Sequence, residues 1–169
     1  MATLIKHGRR ANDTWLWLKD DAAPVPRDGD LMVSVMRWHA QRAELVARAG
    51  RIGLVLAGAD DPSTVAEDLK LFGVVAVAFP SFTDGRGYSI ARLLRERYGW
   101  RGELRAVGDI QRDQLFYLAR CGFDAFLLRE GENVEAALTA FSDFSDAYQA
   151  AVDQPVPLFR RRATATLHA

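Results

Sequence analysis

A single cysteine in 169 residues closes off several chemistries at once. Cys121 has no second thiol with which to build an intrachain disulfide, a Cys-x-x-Cys redox pair, a thiolate zinc site or a self-contained iron–sulfur cluster. Histidine is almost as scarce: His7 lacks ligand partners at metal-binding spacing, and His39 lies in a helix where it faces solvent or caps a contact, so no metal site is expected. No apolar run approaches the ~20 residues that span a bilayer, and the first residues lack the charged-then-apolar layout of a signal peptide. The expectation is a cytoplasmic protein with no membrane role. Lysine occurs only at Lys6, Lys19 and Lys70, so the positive charge is carried almost entirely by arginine. Lys+Arg and Asp+Glu both number 22, a balance that argues against bulk nucleic-acid or anionic-membrane binding.

What is present suits one domain with a sizeable core, since 49% of residues are hydrophobic. Residues 1–169 read as a single α/β domain, with an N-terminal hairpin over 1–20 and an extended basic tail over 153–169. In the hairpin, Leu4–Arg10 and Thr14–Leu18 pair across an Asn12-Asp13 turn, with Trp15 and Trp17 on one face covering the core. A Pro- and Asp-rich loop follows, and then strands and helices alternate. Strands are predicted at Leu31–Val35, Ile52–Leu56, Val74–Phe79, Glu103–Val107 and Phe123–Leu128. Helical stripes run through Trp38 and Leu45, through Val65, Leu69 and Phe72 behind an Asp61-Pro62 start, and through Ile90, Leu94 and Tyr98 up to Gly99. A further helix carries Leu115 and Leu118, with Asp109 as its cap and Gly122 as its stop. A long final helix is predicted through Val134, Leu138, Phe141, Tyr148 and Val152. The connections are too long for hairpins, so about five parallel βα units follow the N-terminal hairpin, as an open sheet or a partial barrel.

Candidate site residues gather after two of these strands. Asp84, Gly85, Arg86 and Gly87 form a loop between a buried strand and a helix. The two glycines permit a sharp turn, and Asp84 either orients an arginine or caps the helix. Arg86 and Arg92 offer forked donors for an anion near that helix start. Asp109, Arg112, Asp113 and Gln114 follow the next strand at the same end of the sheet, where parallel α/β folds place ligands. Structural Asp–Arg pairing between loops is the competing reading. The loop is neither a dinucleotide fingerprint nor a P-loop, because the third glycine or the Gly-Lys-Ser/Thr is missing. From Asp84 to Arg105, six arginines stand against Asp84, Glu96 and Glu103. Cys121, in the last turn of its helix, reads as a small core residue rather than a nucleophile. In the tail, Leu158 and Phe159 beside Arg160, Arg161 and Arg162 either dock on a partner or fold back on the domain.

The run Phe79-Pro80-Ser81-Phe82-Thr83-Asp84-Gly85-Arg86-Gly87-Tyr88-Ser89 carries a resemblance. With it go Leu93 to Trp100, Gly102 to Asp109, Arg112-Asp113-Gln114 and Arg120 to Phe126. Together they resemble a bacterial family of unknown function, strongly over residues 74–128 and more loosely from about Leu31 to Arg162. Its members are labelled oxidoreductases of sulfite reduction and are often encoded beside the haemoprotein sulfite or nitrite reductase. The resemblance implies a place in sulfur assimilation but supplies no catalytic residues. Three functional readings stay open. One is an accessory protein of assimilatory sulfite reduction that binds the reductase haemoprotein or an anionic ligand of that pathway. Another is an enzyme acting on a phosphorylated or sulfonated small molecule at the strand ends. The third is an oxidoreductase with bound flavin or nicotinamide, a cofactor that no motif here specifies.

Overall fold

The computed structural model describes residues 3–166. Eight strands form one sheet: β1 (Thr3–Lys6), β2 (Arg9–Ala11), β3 (Trp15–Trp17), β4 (Asp30–Ser34), β5 (Ile52–Leu56), β6 (Phe72–Phe79), β7 (Glu103–Gly108) and β8 (Ala125–Leu128). Their order is β2-β1-β8-β7-β6-β5-β4-β3, with β3 to β8 all parallel and each beside its sequence neighbour. Sequential parallel neighbours with crossovers of one hand put every helix on the same face. That face holds α1 (Val35–Ala47), the 3-10 helix Pro62–Leu71, α2 (Arg86–Arg92) with its π-helical continuation Leu93–Arg97, α3 (Leu115–Arg120) and α4 (Val134–Thr139). Leu31, Val33, Leu54, Leu56, Val75, Val77, Leu104 and Phe126 point into it and meet Trp38, Leu45, Val65, Leu94, Leu115 and Leu118. The alternate residues Met32, Val55, Val74, Ala76 and Val107 form a second, smaller core on the other face, under Trp15 and Trp17.

A sheet with helices on one face only curls, and here the amount of curl can be bounded. β2 and β3 are the two edges, yet the chain passes from Ala11 to Trp15 in four steps. At ~3.6 Å per residue the edges lie within about 14 Å of each other. The result is a half-barrel whose inner face is closed over by this crossing segment. Its polar centre is Arg105, 1% exposed, which pairs with Asp13 of the crossing segment at 2.9 Å and with Glu103 at 2.7 Å. Lys6 of β1 reaches the other oxygen of Glu103 at 2.7 Å. Burial pushes the Glu103 carboxyl up, but Lys6 and Arg105 outweigh it and hold the group below its ordinary value. Two cations and two carboxylates thus join hairpin, sheet and crossing segment.

The fold corrects the sequence reading in three places. The hairpin exists, but it pairs β1 with β2, and Trp15–Trp17 lies at the opposite edge beside β4. Its turn is His7-Gly8, both at positive φ (49° and 71°), the two-residue geometry that matches strand twist, whereas Asn12-Asp13 bridges the edges. The long final helix stops at Thr139, followed by a 3-10 turn at Ala140–Ser142 and an irregular stretch to Pro157. The tail is helical rather than extended: α5 spans Leu158–Thr166, and the N–H groups of Arg160 and Arg161 donate to the Pro157 carbonyl at 3.1 and 3.2 Å. Proline cannot continue a helix, but it is well suited to begin one.

Candidate functional site

Two places on this fold gather the residues singled out by the sequence: the loops at the C-terminal ends of β6, β7 and β8, and the surface built by residues 143–162. At the first, Asp84 accepts a fork from Arg86, with Nε at 2.9 Å and Nη2 at 2.7 Å, and also accepts the Arg86 backbone N–H at 3.1 Å. That guanidinium lowers the Asp84 carboxyl to about 2, the side-chain bond first and the backbone bond second. Asp84 therefore both orients the arginine and ties down the start of α2. Arg86 lies so close over the β5 loop that a Cβ at Gly58 would fall 2.9 Å from its Nε.

The glycines act differently from expectation. Neither Gly85 nor Gly87 has positive φ, so the turn does not require them. Gly87 is needed for packing instead, because a Cβ there would come within 2.5 Å of the Phe79 ring. Asp109 does not cap the following helix. The cap is Gln111, in a box with Gln114, while Asp109 accepts the Phe82 N–H at 3.0 Å and pairs with Arg129 at 2.9 Å. Arg129 in turn forks onto Glu132. Gln114 is buried and accepts the Gln111 N–H while donating to the Phe82 carbonyl and the Tyr88 hydroxyl. Burial raises the Tyr88 phenol, an effect that the Gln114 bond partly offsets.

These bonds lace the β6 and β7 loops together. They bring Asp84, Arg86, Asp109 and Gln114 into one rim and leave the others outside it. Arg112 turns away to the Ala136 carbonyl and to Asp143 at 2.7 Å. Arg92 forks onto Glu96 one helical turn on, and Asp113 stands exposed on its 3-10 turn. Of the six arginines between Arg86 and Arg105, Arg95 and Arg105 are buried clamps. Arg95 donates to the carbonyls of Trp100, Gly102 and Gly122 at 2.8 Å each and pairs with Asp124 at 3.1 Å. Burial lowers its pKa despite Asp124.

The second place is formed by the end of the chain. Phe144 and Tyr148 are 63% and 68% exposed, Phe159 is 56% exposed, and Tyr117 of α3 adds a side chain 57% exposed. Phe116 meets Phe144 at 5.0 Å between ring centres, and Tyr148 meets Phe159 at 6.5 Å. The chain here is held by a few polar ties: Arg112 to Asp143, Arg120 to the Gln149 carbonyl, and Arg161 to Asp146 and the Ala147 carbonyl. Leu158 is half-buried at the start of α5, and the Arg160 guanidinium sits 5.9 Å from the Phe159 ring. Arg162 is exposed on the same helix.

A family model described as bacterial protein of unknown function, DUF934, matches residues 53–159, well over half of the chain. The chain belongs to this family. No curated protein and no solved structure matches it. The DUF934 match runs from β5 into α5, so it takes in both the strand-end rim and the aromatic surface and leaves the hairpin, β3, β4 and α1 outside. The description of DUF934 names no activity.

Several residues that matter here were not singled out as functional by the sequence. Arg129 follows β8 as Asp109 follows β7, a positional signal that could have found it. Phe144 and Tyr148 fit the helical stripe, but the intervening Ser142-Asp143 and Ser145-Asp146 mark a loop. Among the described residues, no cluster of three or more His, Cys, Asp or Glu could hold a metal ion, and no helix is long and apolar enough to cross a membrane.

Proposed function

We propose that this chain is a docking protein whose working surface is the aromatic and arginine-bearing segment 144–162, and that its partner is the haemoprotein of assimilatory sulfite reduction. The observation that carries this reading is the exposure of Tyr117, Phe144, Tyr148 and Phe159, with Phe144 against Phe116 of α3 and Tyr148 against Phe159 of α5. Large rings left in water cost free energy in the isolated chain, and aromatic residues with arginine are the side chains most enriched where proteins meet. The resemblance to a family linked with the reductase supplies the partner's identity. Arg160 and Arg162 supply a cationic rim suited to an acidic partner surface. The test is purification of the tagged chain from its native cytoplasm under sulfate-assimilating conditions, with a visible spectrum of whatever co-elutes. The reductase, with its haem absorption, is the expected companion. Its absence, together with unchanged reductase activity in a deletion strain, would refute the reading.

A second reading rests on the rim of loops. Curled parallel sheets bind ligands at the C-terminal strand ends, where Asp84, Arg86, Asp109 and Arg129 stand. Carboxylates beside arginines there can hold an anionic phosphorylated or sulfonated substrate and move a proton. Arg86 is already forked onto Asp84, and Arg129 onto Glu132, so such a substrate has to displace a carboxylate. That requirement ranks this reading second. Its test is Arg86→Ala, which has to weaken binding of any such substrate.

A further inference from the structure

α3 and the stretch that crosses it at Gln149–Ala151 line a partly open cavity of about 180 Å³, which shares Tyr117 with the docking surface but whose charged side the docking reading leaves unused. Its lining residues include Arg92 from α2, Phe116, Tyr117 and Arg120 from α3, and Cys121 just after α3. Arg120 is a buried cation, with a side chain only 8% exposed. One of its Nη atoms holds the Gln149 carbonyl, and its Nε stands 3.7 Å from the Asp153 carboxylate, beyond hydrogen-bond reach. Arg92, with a half-exposed side chain, forks onto Glu96 at 2.9 and 3.3 Å along its own helix, so an anion here has to share it with that carboxylate or displace it, as at Arg86. The positive charge of both arginines is felt at the thiol: burial pushes Cys121 up, and Tyr117, Arg92 and Arg120 oppose that push, while Asp153 adds to it.

We propose that this cavity is a binding site for a small oxyanion of the sulfate or phosphate type. Size and donors select that class. Pockets for drug-sized ligands begin at about 300 Å³, so this one suits an anion of a few heavy atoms better than a nucleotide or flavin. Two planar guanidiniums and a phenol provide the forked, directional donors that oxyanions take, and partial burial of the site strengthens each bond. The anion would add a closer acceptor to Arg120, whose Nε meets Asp153 only at 3.7 Å, and bridge α2 and α3 to the stretch at Gln149–Ala151. The proposal does not rest on the docking reading, because it concerns the isolated chain.

The experiment is calorimetric titration of the full chain with sodium sulfate and sodium phosphate, each at an ionic strength held constant with chloride. The alkylation rate of Cys121 by iodoacetamide is followed in parallel, since the only thiol in the chain reports from the cavity wall. One saturable site is expected, with slower alkylation as it fills. Arg92→Gln should weaken binding tenfold or more, whereas Arg97→Gln, on the same helix but outside the cavity lining, should leave it within twofold. The proposal is overturned if neither anion saturates, if alkylation is unaffected at saturation, or if the Arg92 variant binds like the parent. It is equally overturned if both variants lose affinity alike, because that would indicate a general charge effect.

Discussion

Arg105 and Arg161 carry the same side chain into opposite settings. Arg105 lies inside the half-barrel, where Asp13 and Glu103 take its donors and the surrounding strands shut out water. Arg161 lies 28% exposed on α5 and holds Asp146 and the Ala147 carbonyl. The same contrast separates the regions around them. In the sheet and the helices packed on it, buried arginines end on backbone carbonyls or carboxylates, and the large aromatic Trp38 is fully enclosed. In residues 143–162 the rings face outward and polar ties replace a core. The sheet's side chains are explained by the fold alone. Those of the end segment are explained, on the proposed function, by a partner surface.

Substitution can break that comparison. The largest effect is expected at Arg105. Arg105→Met leaves Asp13 without its cation and Glu103 with only Lys6, so stability to urea should fall by about 3 kcal/mol, the cost of breaking a buried pair from one side. A loss under 1 kcal/mol would show that the inner network is incidental. Next comes Gly87→Ala, whose Cβ must displace the Phe79 ring; overpacking of that kind costs about 1–3 kcal/mol. By contrast, Phe144→Ser, Tyr148→Ser and Phe159→Ser should each change stability by no more than about 0.5 kcal/mol, because those rings are largely in water already. A large loss in any of them would make the segment part of the core and erase the distinction.

Acid sharpens the picture of the sheet. Arg51 forks onto Asp30 at the start of β4 and lowers that carboxyl to about 2, and Arg86 does the same for Asp84. A carboxyl depressed below its unfolded value of about 3.9 adds stability above that value and loses it as pH falls through the folded one. Stability should therefore hold down to about pH 4 and decline between about 4 and 2. Arg51→Gln should flatten part of that decline, and carboxyl titration by NMR would show Asp30 returning toward 3.9. An Asp30 pKa unmoved by the substitution would contradict the assignment.

Much of the sheet was legible in the sequence because its signals are local. Valine-rich runs, the Asp61-Pro62 start and the glycine stops placed five parallel units close to their observed positions. Partners across distance were not legible. Nothing near Trp15 shows that it pairs with β4 rather than with the hairpin, and nothing near Arg95 or Arg105 distinguishes a buried clamp from an anion-binding arginine. The strand-end residues were placed at the correct end of the sheet, but their bonds were not: Asp109 went to Arg129 and Phe82, not to a helix cap. The final helix failed because Phe141, Tyr148 and Val152 keep helical spacing while the Ser-Asp pairs between them break the helix.

The central claim is that the exposed rings of the end segment bind the reductase haemoprotein. The most direct measurement is the affinity of the purified chain for that purified haemoprotein, compared with a chain carrying Phe144→Ser, Tyr148→Ser and Phe159→Ser together. The account predicts saturable binding by the parent and a loss of at least thirtyfold in the triple variant, with both proteins equally folded by circular dichroism. Equal affinity for the two chains, or no binding by the parent, would contradict it.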